Sequence, residues 1–427
     1  MTDIDDVSWI ASDLVRIDTT NRGGGDAVGE RVAAEYVASR LDECGLEARI
    51  LEKARGRSNV IARWPGTDPT LPALVVHGHL DVVPADPAEW TIDPFGGEIR
   101  DGLLWGRGAV DMKNMLAMVL AAAADMNTRG SRPRRDVILA FLADEEDNSQ
   151  FGARWLVDAH PEAFDGADAA ISEVGGFSAE VAGSTVFLVQ TGEKGILWLR
   201  LRSRGHAGHA SQVHDPNAIV DLARAVLRID DERWPDALTE TTARLVDAIE
   251  GSAAPGDAES VLASLGACAP FVVPGLRTTT ALTMFSGGDK QNVVPGRASA
   301  LVDVRFLPGE RDRVLARIRE LAGPGIEVDI EADIEAVEAP FDGPLVDAMR
   351  ASLGRLAPGA RVAPYLLPAG TDNAILARLG IRGYGFVPMR LPADYDFPAM
   401  FHGVDERVPV DALQFGQSVL TDLLETY

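Results

Sequence analysis

The stretch ALVVHGHLDVVP, residues 73–84, decides the fold. Its first four residues, Ala73-Leu74-Val75-Val76, are apolar at every position, whereas a strand with one wet face would alternate. Such a run is a central strand covered by helices on both sides. Val137 to Leu142 and Ala169 to Ile171 read the same way, and the Ala-rich stretch Met112 to Met126 reads as a helix between them. Asp26 to Cys44 is a further amphipathic helical pattern, stopped by Gly45 in a left-handed cap. Strands alternating with helices predict a three-layer α/β domain built from crossover units.

Near Gly192 the texture changes. VFLVQTGEKG is followed by LWLRLRSRG, an alternating strand that turns arginines to solvent and leucines to a core. Further alternating strands are expected at Thr278 to Phe285 and Ala298 to Phe306, with helices at Pro216 to Arg228 and Arg311 to Leu321. This is an α+β module. After about Pro340 the first texture returns, with a helix from Pro344 to Leu356, a strand at Gly383 to Val387 and a closing helix from Pro409 to Leu424. A chain of 427 residues accommodates such an arrangement, since domains run to about 100–200 residues. The expected division is a first domain from residues 1–190 and 336–427, interrupted by an inserted domain at 191–335.

Composition narrows the function classes. With 46% hydrophobic and 25% charged residues the chain can bury a full core without a metal to hold the fold, so a bound metal would serve chemistry. Cys44 and Cys268 stand far apart and in no C-x-x-C pattern, which suits a reducing, cytoplasmic compartment. The start MTDIDDVSWIASDL lacks the basic and apolar regions of a signal peptide, and no apolar run reaches membrane-spanning length. A net charge of −25 weighs against nucleic acid and anionic membrane as partners. It also means that an anionic substrate needs a local cationic clamp.

Against this layout the polar residues fall into a pattern. His79 and Asp81 follow one buried strand, Asp111 follows Leu103-Leu104-Trp105, Glu145-Glu146 follow a third strand, Glu173 a fourth, and His402 lies downstream of a fifth. Ligands of open α/β sheets bind beyond the carboxyl ends of the strands, so these side chains are expected in one crevice. Several carboxylates there would repel one another and normally mean bound cations. Imidazoles with carboxylates suit zinc better than magnesium or calcium. Two cations need a bridge, which one carboxylate can supply.

HGHLDVVP (77–84), WGRGAVDMK (105–113), ADEED (143–147), SEVGG (172–176), GHAGHAS (205–211), NVVPG (292–296), GTDN (370–373) and FHGVDE (401–406) together resemble the acetylornithine deacetylase, succinyl-diaminopimelate desuccinylase, aminoacylase and carboxypeptidase G group of two-zinc peptidases and deacylases. The resemblance covers nearly the whole chain. It implies two zinc ions per chain, replaceable by cobalt or manganese, one held by His79, Asp111 and Glu173 and the other by Asp111, Glu146 and His402. Glu145 would be the general base on a metal-bridging water, and Asp81 would orient His79 by accepting its imidazole N–H. A cis peptide is implied after Asp111. The insertion resembles the family's lid and dimerisation domain, in which His209 would reach the neighbouring subunit's site to stabilise an oxyanion. Arg305, Asn292 and the Gly370-Thr371 loop stand where relatives bind the substrate's carboxylate or backbone.

The implied reaction is cleavage of an amide or peptide bond in an N-acyl amino acid or dipeptide with a free carboxylate, by a homodimer. A carbamoyl or ureido substrate on the same site, or a metal-dependent binding protein without turnover, are the alternatives. Plainer readings stand beside several assignments. His77 is expected to be a packed, hydrogen-bonded residue, and His160 and His214 surface or capping residues. His206 competes with His209, which the G-x-x-x-H register after Gly205 favours. Glu145-Glu146 could be a solvated helix start, and Arg305 a structural ion-pair residue. GRGAVDMK lacks the third glycine and acidic ribose ligand of a dinucleotide loop. Asp147-Asn148-Ser149-Gln150 and Asn114 depart from the family pattern at segments bordering the crevice, which leaves the preferred substrate side chain open.

Overall fold

The computed structural model describes residues 6–181, 183–250 and 258–427, so the first five residues of the acidic start lie outside the described ones. Ala73–His79 is a strand buried along its whole length. It lies inside a ten-stranded mixed sheet, parallel to Val137–Leu142 on one side and Ala167–Ser172 on the other. Leu74, Val76 and Leu139 enter a core formed with the helices Val7–Arg16, Lys113–Arg129 and Val410–Thr426. Ala73, Val75, Ile138 and Ala140 enter a second core beneath Ala153–Ala159 and Asn373–Leu376. Alternate side chains of a strand point to opposite faces, so two cores require an unbroken apolar run. Each buried Val or Leu contributes roughly 1.5–3 kcal/mol.

Most element boundaries shift by one to three residues from expectation. The helix expected from Asp26 is an exception, starting at Arg31. Gly29 precedes it at φ 94°, and a Cβ there would stand 2.7 Å from the Gly56 carbonyl oxygen. That close approach folds the chain against the Ala48–Ala54 and Arg57–Trp64 hairpin before the helix can begin. Gly45 ends it at φ 73°, as its position implied.

The second sheet is antiparallel, ordered Thr279–Ser286, Arg297–Phe306, Gly195–Arg204, Ile326–Ile334. Leu197, Leu199 and Leu201 pack with the helices Ala218–Asp230 and Arg311–Ala322. Arg200 and Arg204 lie on the opposite face and pair with Glu331 and Glu327, at 2.8 and 3.3 Å. One feature of the insertion was not foreseen: Glu240–Glu250 and the segment from Ala258 to Leu276 leave this module. Leu245, Val246, Val261, Leu262 and Leu276 join the first core, and Arg361 Nη1 donates to the Ala248 carbonyl at 2.5 Å. The helix Glu240–Glu250 covers the strand Arg361–Leu367, which would otherwise leave apolar surface in water. No helix among the described residues is long and apolar enough to cross a membrane.

Candidate metal centre

Parallel pairing makes Ala73–His79, Val137–Leu142, Ala167–Ser172 and Arg382–Gly385 end along one edge. His79 is the last residue of the first, Glu145 and Glu146 lie in the short turn after the second, and Glu173 follows the third. Asp111 comes from the loop after Leu103–Trp105 and is joined to Met112 by a cis peptide bond. His402 arrives from the loop before Arg407–Pro409. His79 Nε2 stands 3.1 Å from Asp111 Oδ1 and 3.4 Å from Glu173 Oε2. His402 Nε2 stands 3.2 Å from Asp111 Oδ2 and 3.3 Å from Glu146 Oε2. Asp111 thus turns one oxygen to each imidazole.

The electrostatics are those of a crevice with too many carboxyl groups. Burial pushes Glu173 up to about 7 and raises Glu146. Burial and the nearby Glu173 carboxylate push Glu145 well above the ordinary glutamate range. Burial alone would lower His79, but Glu173 and Asp111 hold it well above its ordinary value. Hydrogen bonds to Asp111 and Glu146 raise His402 to about 10. Burial would raise Asp111, yet the two imidazoles keep it below the usual carboxylate range. Glu146 Oε1 is buried with no hydrogen-bond partner among the described residues. His79, Glu145 and Glu173 form one group able to hold a metal ion and His79, Asp111 and Glu146 another, each with ligand atoms within 4.8 Å of one another. Imidazole nitrogens beside unrelieved carboxylate oxygens are the donor set of borderline-soft divalent cations.

Residues 75–426 match the model of peptidase family M20/M25/M40. The chain belongs to this family. Aminoacylase-1 of Pongo abelii is 27% identical to it over 403 residues, spanning 92% of this chain and 89% of that one. The N-fatty-acyl-amino acid synthase/hydrolase of Xenopus tropicalis is 28% identical over 409 residues, spanning 90% and 78%. The crystal structure of an M20 family metallo-carboxypeptidase from Sulfolobus solfataricus shares the fold with a TM-score of 0.76, over 98% of each chain at 19% identity. The M20 chain is accordingly a metal-dependent hydrolase with a mixed α/β body and an inserted α+β module.

Within this M20 fold the role expected of the Asp81 carboxylate needs correction. The His79 Nδ1–H is received by the Asp81 main-chain oxygen at 2.9 Å, while the carboxylate lies 3.7 Å from it. The carboxylate is occupied elsewhere, accepting the Glu145 and Glu146 backbone N–H groups at 3.1 and 3.2 Å and Asn21 Nδ2 at 2.9 Å. One residue therefore orients the imidazole with its backbone and the Glu145-Glu146 turn with its side chain. Asn21 also donates to Asp144 Oδ1, which Arg57 engages at 2.6 Å while pairing with Glu30. Burial raises Glu30 to about 7. His77 is packed as expected, bonded to Asn373 Oδ1 at 2.9 Å and lowered by burial to about 4.

The remaining expected residues stand differently. His209 is exposed and bonds within its own loop, Nδ1 facing Ser211 Oγ at 2.8 Å and receiving the Ser211 N–H, with Nε2 without a partner among the described residues. Asn292 is exposed, and its carbonyl accepts the Ala210 N–H. Arg305 makes a bidentate pair with Asp303 at 2.7 and 2.9 Å, as in its plainer reading, keeping Nη1 without a partner among the described residues. Thr371 gives both its N–H and its hydroxyl to Glu193 Oε2, at 3.1 and 2.8 Å, and Gly370 lies against Ile196. Burial raises Glu193 to about 8. His160 bonds Glu162, and His214 bonds the His209 carbonyl. Sequence reading gave no role to Glu193, Asn21, Asp144 or Glu406. Each lies within or beside a quoted motif or glycine-rich turn, but nothing in a motif says which carboxylate is buried against which backbone.

Proposed function

We propose that the protein hydrolyses the amide bond of an N-acyl amino acid or dipeptide with a free carboxylate, using two zinc ions. His79, Asp111 and Glu173 would hold the ion at a first position, and Asp111, Glu146 and His402 the ion at a second. The observation that carries this reading is Asp111, with one oxygen facing each imidazole. Two bound cations would neutralise the carboxylate cluster, acidify a water and polarise the scissile carbonyl. Glu145, held by its backbone on Asp81, accepts the proton of the attacking water as the C–O bond forms, and returns it to the nitrogen as the C–N bond breaks. The kinship with aminoacylase-1 and an N-fatty-acyl-amino acid hydrolase supports the acylated amino acid as substrate class.

A second copy of the chain completes the site in this reading. The edge strand Thr279–Ser286 exposes Leu282, Met284 and Phe285, and the helix beside it exposes Val220 and Leu227, an apolar face suited to self-association. The partner's loop would bring a His209 Nε2–H to the developing oxyanion, while Arg305 Nη1, Asn292 and the Gly370-Thr371 loop receive the substrate's carboxylate and backbone. A cytoplasmic setting fits this chemistry. Glu145→Gln tests the mechanism: kcat should fall about 10²–10⁴-fold with metal content unchanged. Full turnover in that variant would refute Glu145 as the base.

A further inference from the structure

Glu406 has no exposed surface and touches neither imidazole of the cluster, yet its carboxylate is fully engaged. Oε1 accepts the Val110 and Asp111 N–H groups at 2.6 and 3.1 Å, and Oε2 accepts the Gly108 N–H at 3.0 Å and Arg107 Nη1 at 2.7 Å. Its own carbonyl receives the Gly106 N–H at 2.9 Å. Arg107 then reaches on, Nη2 donating to the His402 carbonyl at 3.3 Å and the Pro84 carbonyl at 3.4 Å. Arg407–Pro409 pairs antiparallel with Leu103–Trp105, so the segment that carries His402 and the segment that carries Asp111 are stitched into one unit. Hydrogen bonds to a charged acceptor are the stronger kind, and this one gathers four donors.

We propose that Glu406 is a positioning residue that fixes the bridging aspartate and the His402 loop in a common register, and that the second cation position depends on it more than the first. This rests on the two-metal reading. The asymmetry follows from what else holds each ligand. His79 and Glu173 stand at the ends of parallel strands whose ladder does not involve Glu406. His402 has no strand beneath it, sits at φ 57°, and leaves 54% of its side chain exposed. Its loop is tied back through the Glu406–Arg107 pair, so loosening that pair frees His402 while leaving His79 in place.

Glu406→Gln keeps the volume and replaces one oxygen by an amide NH2. Whichever way the amide lies, that NH2 faces two donors, the Val110 and Asp111 N–H groups on one side or the Gly108 N–H and Arg107 on the other. Zinc affinity at both positions is read by titration of the metal-free chain against a competing chelator, with stoichiometry checked by elemental mass spectrometry. The wild-type chain should bind two ions, and the variant should bind one of them about 10–100-fold more weakly while the other weakens by a smaller factor, the more weakened ion being the one that His402→Ala also removes. Arg107→Met, which leaves the backbone N–H bonds in place, should weaken the same ion by a smaller factor, and it serves as the test if the Gln variant fails to fold. Two ions bound at wild-type affinity in the folded variants, or equal weakening of both, overturns the positioning role. A wild-type chain that binds fewer than two ions instead overturns the two-metal reading, and the inference with it.

Discussion

His79 and His402 present the same imidazole nitrogen to the same aspartate, at 3.1 and 3.2 Å, but they are held in opposite ways. His79 ends a buried strand, is 1% exposed, and has its second nitrogen bonded to the Asp81 carbonyl. His402 projects from a loop in a left-handed backbone conformation, and its Nδ1 has no partner among the described residues. One half of the site is built into the sheet and the other is brought to it. The first should therefore resist change in the absence of metal, and the second should be ordered largely by what it binds.

Replacing the two histidines in turn breaks or sharpens that contrast. Both His79→Ala and His402→Ala should reduce turnover to background. Their metal-free stabilities should differ: removing His79 leaves buried Glu173 without its partner and costs about 3 kcal/mol. Removing the half-exposed His402 takes a partner from Asp111 and Glu146, but Asp111 keeps His79, so the cost should be smaller, about 1 kcal/mol. Chemical unfolding of the chelated proteins measures both, and equal losses would erase the distinction.

Weaker, and confined to the turn beside His79, is the effect of Asp81→Asn. The amide can no longer accept both the Glu145 and Glu146 N–H groups, so kcat or metal affinity should fall about 10–100-fold while the His79 contact to the main-chain oxygen survives. Steady-state kinetics with a metal titration would separate the two effects.

The smallest effect is pH dependence of the metal-free protein. Glu173, raised to about 7, binds protons more tightly folded than unfolded, so its contribution is complete below its unfolded value and is lost as pH rises through about 7. His402, raised to about 10, acts in the same sense, its contribution being lost as pH rises from about 6.5 through about 10. The chelated protein should therefore unfold at a lower temperature at about pH 8 than at about pH 5, and zinc should reverse that order by binding the deprotonated groups. A metal-free Tm that rises over this interval would show that other groups dominate.

The buried strands were legible because the residues filling two cores must be apolar in succession, and the lid strands because one wet face imposes alternation on Trp198 to Arg204. His79, Glu146 and Glu173 could be gathered from sequence because parallel strands deliver their ends to one edge, whereas Asp111 and His402 come from a separate three-stranded antiparallel sheet and its loops, and only the motifs around them marked them out. Long-range partnerships were not legible. That Asp81 gives its carbonyl to His79 and its carboxylate to the Glu145-Glu146 turn depends on backbone directions that no spacing encodes. Glu406, 295 residues from Asp111, is chemically an ordinary glutamate until the fold buries it against that loop. The departure of Glu240–Glu250 from the second sheet was hidden for a related reason: an amphipathic helix shows which face it buries, not against which sheet.

Metal content of the purified wild-type and Asp111→Ala chains, measured in parallel by elemental mass spectrometry, tests most directly the proposed bridging of two cations by Asp111. About two zinc ions per wild-type chain, falling toward zero in the variant, is the expected result. A wild-type chain that holds no metal after reconstitution with zinc, cobalt or manganese, or an Asp111→Ala chain that still holds two, would contradict it.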